Sequence, residues 1–401
     1  MSGRAQRTKP ITWVTGIALG TVVIGLCAVC FAQFQIRQRS DWRAQHWQLS
    51  GDRALTAEVQ VELDRETRDN KHIMGQLLYV WVPRLGLDTG FASGPDMLAT
   101  DDVRVASNMK PFVAAAALQL VEAGRLNLDA PIAPYLSQPV AEIFEKNGRK
   151  IDTVSLRHLL NHSSGLADYG SSPLFQALAY VPTAFGLAWH WTPTDEIWFA
   201  VTTTQASKVG AHFDYSDTNY LLVADMIAKA TPTANPGIAL RRLLNWSVIG
   251  ADETFWEFYE PTPPNTRRIR QFRGAIEDTN LDVSFDQYGG GGLVMSMDDL
   301  ARAHRAVVRG EVFDHPLETR SLMQAPGSAI GSNGYGLGIA PVVIEGEKCW
   351  SHGGRWGTVA VHCPRLDVTI TRSWGQSNAG PDAQDPKGAI ASIIRLAKMA
   401  G

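Results

Sequence analysis

Asp102-Val-Arg-Val-Ala-Ser-Asn-Met-Lys-Pro-Phe-Val-Ala-Ala-Ala-Ala-Leu-Gln-Leu-Val-Glu122 joins a short extended run to a strongly helical one. The extended part, Asp102–Ala106, leads straight into a helix that stops before Gly124. Ser107 and Lys110 fall in the first helical turn. Residues three apart share a helix face, so the ammonium is expected beside the hydroxyl. A serine hydroxyl is a weak nucleophile until a neighbouring base or cation helps remove its proton. Pro111 is tolerable here because first-turn amides have no partner within a helix. Chance alone supplies about one Ser-x-x-Lys in a chain of this composition, and this chain has one. The context, strand into helix, sets the pair apart.

Two further elements lie downstream. Tyr215-Ser216-Asp217 sits within Phe213-Asp-Tyr-Ser-Asp-Thr-Asn-Tyr220, and His352-Gly353-Gly354 comes after a short expected strand, Glu347–Ser351. Singly, neither carries weight: most tyrosines are half-buried packing residues, and Gly-Gly after a strand usually marks a turn.

The rest of the chain limits the class. Of 401 residues, 45% are apolar and 19% charged, an ordinary globular balance that excludes wholesale disorder and a multi-span membrane architecture. A net charge of -3 leaves no basic field for a phosphate backbone, so no nucleic-acid partner is expected. Four cysteines cannot build a disulfide scaffold. Residues 11–36 hold no charged side chain and are long enough for a helix to span a bilayer. They read as an uncleaved anchor in preference to a signal peptide, because Cys30-Phe31-Ala32 is a poor cleavage site. Neither Cys27 nor Cys30 lies in a lipoprotein-attachment context. Arg4, Arg7 and Lys9 before the span are balanced by Arg37, Arg39 and Arg43 after it, so charge alone does not orient it. A single N-terminal span usually exports the domain C-terminal to it. The expected layout is therefore a cytoplasmic terminus (1–10), a transmembrane anchor or signal peptide (11–36), a connector (37–53) and a domain (54–401) outside the cytoplasm.

Within that domain, Ala54–Arg68 reads as a helix and Gln76–Ala92 as two strands around a turn. Residues from about 125 to 270 are helical segments broken by Pro and Gly. Met297–Arg309 and Ala389–Met399 read as helices, with strands between them at about 335–345, 347–352, 357–363 and 366–373. Strands at both ends imply one sheet built from both termini, with a helical insertion over it. Cys349 and Cys363 flank a hairpin centred on residue 356; they are either a disulfide or two buried thiols.

In this order the motifs resemble the serine β-lactamase and penicillin-binding-protein superfamily, in particular its class C β-lactamase, D-alanyl-D-alanine carboxypeptidase and esterase branch. The likeness extends over roughly residues 55–400. It includes Arg104-Val-Ala-Ser-Asn-Met-Lys110, Leu118–Ile132, Leu156-Arg-His-Leu-Leu-Asn-His-Ser-Ser-Gly-Leu166, Gly292-Leu-Val-Met-Ser-Met-Asp-Asp-Leu-Ala301 and Tyr335-Gly-Leu-Gly338. The resemblance implies an α/β (α+β) β-lactamase/transpeptidase-like fold, an antiparallel sheet flanked by helices plus an all-helical subdomain. It implies a serine hydrolase that needs no metal or organic cofactor. Ser107 would become the acyl-enzyme and Tyr215 would act as general base, as a phenolate that Lys110 stabilises. The backbone amides of Ser107 and Arg355 would form the oxyanion hole. Asp217, His352, Gly353 and Gly354 would line the substrate site, with His352 touching a substrate carboxylate or the tyrosine; if His352 must be charged, activity should fall through pH 6 to 7.

Two departures bear on specificity. The family's Tyr-x-Asn is Tyr-Ser-Asp here, replacing an amide that donates and accepts by an acceptor-only carboxylate that could pair with Lys110. Its Lys-Thr-Gly is His-Gly-Gly, without the threonine hydroxyl. Both weigh against an efficient β-lactamase and for a peptidase, esterase or aminopeptidase acting on a small-molecule or peptide substrate, cell-wall peptidoglycan included. They also keep open a catalytically weak penicillin- or wall-peptide-binding protein. The expected location is the bacterial inner membrane, single-pass, with the domain in the periplasm. Other signals weigh less: His158 and His162 have zinc-like spacing but no His-Glu-x-x-His, Gly289–Gly292 precedes no Lys-Ser/Thr, Trp189, Trp191 and Trp198 are core or a cleft wall, and Tyr288 and Tyr335 are structural.

Overall fold

The computed structural model describes residues 52–377 and 388–400, apart from 186, 188 and 204–206. The anchor, its flanking charges, Cys27 and Cys30 lie outside the described residues. Among the described residues no helix is long and apolar enough to cross a membrane.

The helices are α1 (Asp52–Asp69), α2 (Lys110–Glu122), α3 (Gln138–Lys146), α4 (Leu156–Leu160), α5 (Pro173–Ala184), α6 (Pro193–Thr203), α7 (Asp217–Ala230), α8 (Pro236–Leu244), α9 (Trp246–Ile249), α10 (Met297–Arg309), α11 (Pro316–Met323) and α12 (Ala389–Met399). The strands are β1 (Gln76–Val82), β2 (Leu87–Ser93), β3 (Val103–Arg104), β4 (Phe255–Trp256), β5 (Phe272–Arg273), β6 (Ile276–Glu277), β7 (Leu293–Met295), β8 (Ala340–Ile344), β9 (Glu347–Gly354), β10 (Thr358–Cys363) and β11 (Val368–Ser373).

One antiparallel sheet, in the order β2-β1-β11-β10-β9-β8, joins the two ends of the domain, as the strand pattern implied. Leu77 and Tyr79 face one side of β1, Leu78, Val80 and Val82 the other, and each side is covered. On one face α1 and α12 close a core of Leu55, Val59, Leu63, Ile390 and Ile394 over Val80, Val361 and Ile370. On the other face α10 and α2 lead into the larger core that continues through the helical region. The hairpin β9–β10 places Trp350 opposite His362, and a disulfide joins Cys349 to Cys363 in the α1/α12 core. That settles the alternative left open by the sequence.

Two boundaries differ from expectation. Residues 335–339 are not strand: Gly336 bonds to Ile339 O and Leu337 to Met323 O, so the backbone groups a strand would offer are used in a turn against α11. Ser107 lies in a 3₁₀ turn, Ala106–Met109, and the α-helix begins at Lys110. The tryptophan cluster divides. Trp191 is buried against Phe175, whereas Trp189 and Trp198 are more than half exposed and do not belong to the core.

Candidate active site

The turn carrying Ser107 is fixed from both sides. On the incoming side, Arg104 is buried and its guanidinium donates to both Glu257 carboxylate oxygens, at 2.7 and 3.1 Å, and to Asp278 O. The Gln271 side chain closes a two-way bond with the Arg104 backbone. Burial raises Glu257, but Arg104 and Arg268 outweigh it and hold the carboxyl below its ordinary range. On the other side, Thr358 of β10 donates from its hydroxyl to Val105 O at 2.8 Å and accepts from Asn108 Nδ2 at 2.8 Å. These bonds bracket Ser107 at positions 105 and 108. Gly354, at the end of β9, lies so close that a Cβ would come within 2.2 Å of both Val105 O and Thr358 Oγ1. Only glycine lets β9 approach the turn this closely, and Arg355 is the next residue.

Lys110 stands one helical step on, fully buried. Its Nζ donates to Ser107 Oγ at 2.9 Å and to Gly290 O at 2.8 Å, and lies 2.5 Å from Asp217 Oδ1. The Gly289–Gly292 run thus has a use that no motif reading assigned to it. A Cβ on Gly290 would sit 2.7 Å from Asp217 Oδ1, so this backbone can reach Lys110 only without a side chain.

Tyr215 precedes α7. Its loop is held by Asp214 N–H donating to His162 O at 2.8 Å and Phe213 N–H to Ile330 O at 2.9 Å. The Lys110 ammonium lies 4.8 Å from the Tyr215 ring centroid, and Ser107 acts on the phenol, drawing its pKa down. Burial raises the Tyr215 pKa well above 10.0, and Asp217 raises it further, while Ser107 opposes them. The resting group is therefore the phenol, not the phenolate expected: Asp217 faces the same cation and spends its charge.

His352 is buried too. Its Nδ1 meets Gly353 O at 2.8 Å, and a carbonyl only accepts, so Nδ1 carries the proton and Nε2 accepts from Tyr335 OH at 3.0 Å. Burial, and then Lys110, push its pKa down to about 3. A neutral ring bonded to a tyrosine replaces the charged carboxylate contact that the sequence left open. Its aromatic neighbours are Tyr335 and Tyr215, with ring centroids at 6.0 and 6.4 Å.

Several residues joined the site without a sequence signal. His162 stacks on Tyr215 at 4.2 Å, and its Nδ1 accepts from the Ser216 N–H. It has left helix α4, with φ +57°, so the zinc-like spacing to His158 places no two rings on one helix face. His158 Nδ1 is likewise taken by the Ser155 N–H. Among the described residues no cluster could hold a metal. Asp168 accepts from the Asp217 N–H at 3.0 Å and so caps α7 from outside. Asp286 is buried beside the same group with Oδ2 unpartnered; burial and Asp217 push it far above the carboxylate range, against Arg355 and Lys110. Arg355 reaches the other way and donates to Tyr180 OH of α5. Gly353 is exposed, and Gly354, Ser107 and Tyr215 are part-exposed, so this group borders solvent.

The site therefore holds a serine hydroxyl, one buried cation bridging it to a carboxylate, and a phenol beside the same cation. It is suited to acyl transfer through a serine ester. A family profile described as Beta-lactamase matches residues 96–394. A putative penicillin-binding protein, PbpX of Bacillus subtilis, is 25% identical over 242 residues, 59% of this chain and 53% of that protein, so the chain spans about half the length of this relative. The D-stereospecific amidohydrolase of a Streptomyces species superposes with a TM-score of 0.66 at 22% identity, covering 81% of this chain and 98% of that one. The D-amino acid amidase of Ochrobactrum anthropi, complexed with D-phenylalanine, does so with 0.66 at 20% identity, covering 85% and 97%. At these identities the two superpositions speak for the fold.

Proposed function

The chain belongs to the β-lactamase family, and on that footing we propose that it is a membrane-anchored serine hydrolase that forms an acyl-enzyme at Ser107. The observation that carries this reading is the Lys110 ammonium, which touches Ser107 Oγ and Asp217 at once and lies beside the Tyr215 ring. Ser107 Oγ attacks the substrate carbonyl carbon, and its proton passes to the Tyr215 oxygen after that phenol has given its own proton to solvent. The oxyanion that forms is met by the backbone N–H groups of Ser107 and Arg355. Collapse breaks the C–N or C–O bond, and the leaving group takes the proton from Tyr215. Water then repeats the steps in reverse roles and frees Ser107.

The substrates proposed are D-amino-acid-containing peptides or amides, peptidoglycan stems among them, or simple esters. The names of the amidohydrolase and the amidase suggest the first class, and Asp217, which cannot donate to a β-lactam's side-chain amide carbonyl, weighs against efficient β-lactam turnover. Residues 11–36 would anchor the chain in the bacterial inner membrane with the domain in the periplasm. The Cys349–Cys363 disulfide favours an oxidising compartment.

A second reading, a weakly turning-over penicillin- or wall-peptide-binding protein, is favoured by one observation: Tyr215 rests as a phenol. One experiment separates the two. The full chain is incubated with a penicillin, with a D-amino acid amide and with an activated ester, and intact mass is monitored alongside Ser107→Ala. An adduct lost in the variant and released within minutes supports the hydrolase. A long-lived adduct supports the binding protein, and no adduct with any reagent sinks both acyl-enzyme readings.

A further inference from the structure

Tyr169 to Thr194 contains no Asp, Glu, Lys or Arg, although 19% of the chain is charged. This stretch includes α5, whose inner face is well packed: Phe175 is fully buried against Trp191 at 4.6 Å and Phe199 of α6 at 5.2 Å. Its outer face is apolar as well. Leu174, Leu178 and Val181, spaced to share one helix face, are each about half exposed. Phe185 beyond the helix is 76% exposed and Trp189 is 64% exposed. A surface helix normally turns charge outward, and an apolar outer face marks a surface that meets something apolar.

We propose that the outer face of α5, with Phe185 and Trp189, docks on the lipid bilayer in which residues 11–36 are anchored. The inference rests on the membrane reading of those residues. The connector 37–51 spans at most about 50 Å when extended, so the domain is tethered near the bilayer. Tethering raises the effective concentration of the surface, so a modest patch suffices for docking. Aliphatic side chains flanked by Trp and Phe are the composition that lies in the headgroup boundary. Tyr180 on the same helix reaches Arg355, so the docked face is one side chain away from the catalytic cleft.

The test uses the full chain with Cys27→Ser and Cys30→Ser, reconstituted into phosphatidylcholine/phosphatidylglycerol vesicles. An environment-sensitive dye is attached at Leu178→Cys, or at Val343→Cys on the far edge strand β8, which is also exposed. Docking predicts co-flotation with vesicles, a blue shift at 178 but not at 343, and loss of the 178 signal when brominated acyl chains are used. Co-flotation with equal, water-like emission at both positions overturns docking while leaving the anchor standing. A blue shift at 178 that brominated lipid does not quench also overturns it, since a protein surface would then cover the face. Failure to co-float defeats the anchor reading and the docking with it.

Discussion

Lys110 Nζ and Asp217 Oδ1 lie 2.5 Å apart, the lysine fully buried and the aspartate side chain only 18% exposed. One cation thus serves three acidic groups, since Asp168 and Asp286 also feel its charge. Removing one partner of a buried pair costs about 3–5 kcal/mol when the remaining charge is stranded. Lys110→Met should therefore abolish acylation and lower stability by about that amount, measured by urea unfolding.

Asp217→Asn restores an amide at the position and removes a charge that, after burial, is the main cause of the high Tyr215 pKa. The expected result is faster acylation by penicillin, together with an activity profile displaced to lower pH. Unchanged penicillin acylation in a folded variant would show that the carboxylate is not what disfavours β-lactams.

The pH profile of the native chain is set by Tyr215 and His352. Tyr215 is raised above 10.0, so its ionised fraction grows about tenfold per pH unit throughout the neutral range, and log kcat/KM should climb with a slope near one from pH 6 to 9. His352, held near 3, stays neutral over that range and should add no fall through pH 6 to 7. A plateau from pH 6 upward would mean that the phenolate is already present.

Gly354→Ala should damage activity and stability together. Its Cβ meets Val105 O, a backbone atom that cannot rotate away, at 2.2 Å. Overpacking of this kind costs about 1–3 kcal/mol. The shift would also move the Arg355 amide, so kcat should fall more than KM rises in ester hydrolysis.

Cys349→Ala with Cys363→Ala should separate stability from chemistry. The bridge closes a loop with a sequence separation of 14, worth about 3 kcal/mol. Both cysteines lie in the core under α1 and α12, on the sheet face away from His352. Thermal unfolding should drop by several degrees with kcat nearly unchanged.

Local pattern made Ser107, Lys110 and the helices Met297–Arg309 and Ala389–Met399 legible, because each depends on close neighbours along the chain, and strand patterns at both ends implied the sheet that joins them. Asp286 and Asp168 carried no such signal. They approach Lys110 from separate loops, and no spacing along the chain encodes that meeting.

The sequence by itself determined the order of strands and helices, Ser107 beside Lys110 and the strand that carries His352, since hydrophobic period and three-residue spacing are local properties. Only the tertiary structure decided the charge states. Burial, with Asp217 next, leaves Tyr215 a phenol, and burial, with Lys110 next, leaves His352 neutral. Desolvation and Coulomb interactions depend on distances in space, and those exist only once the chain has folded.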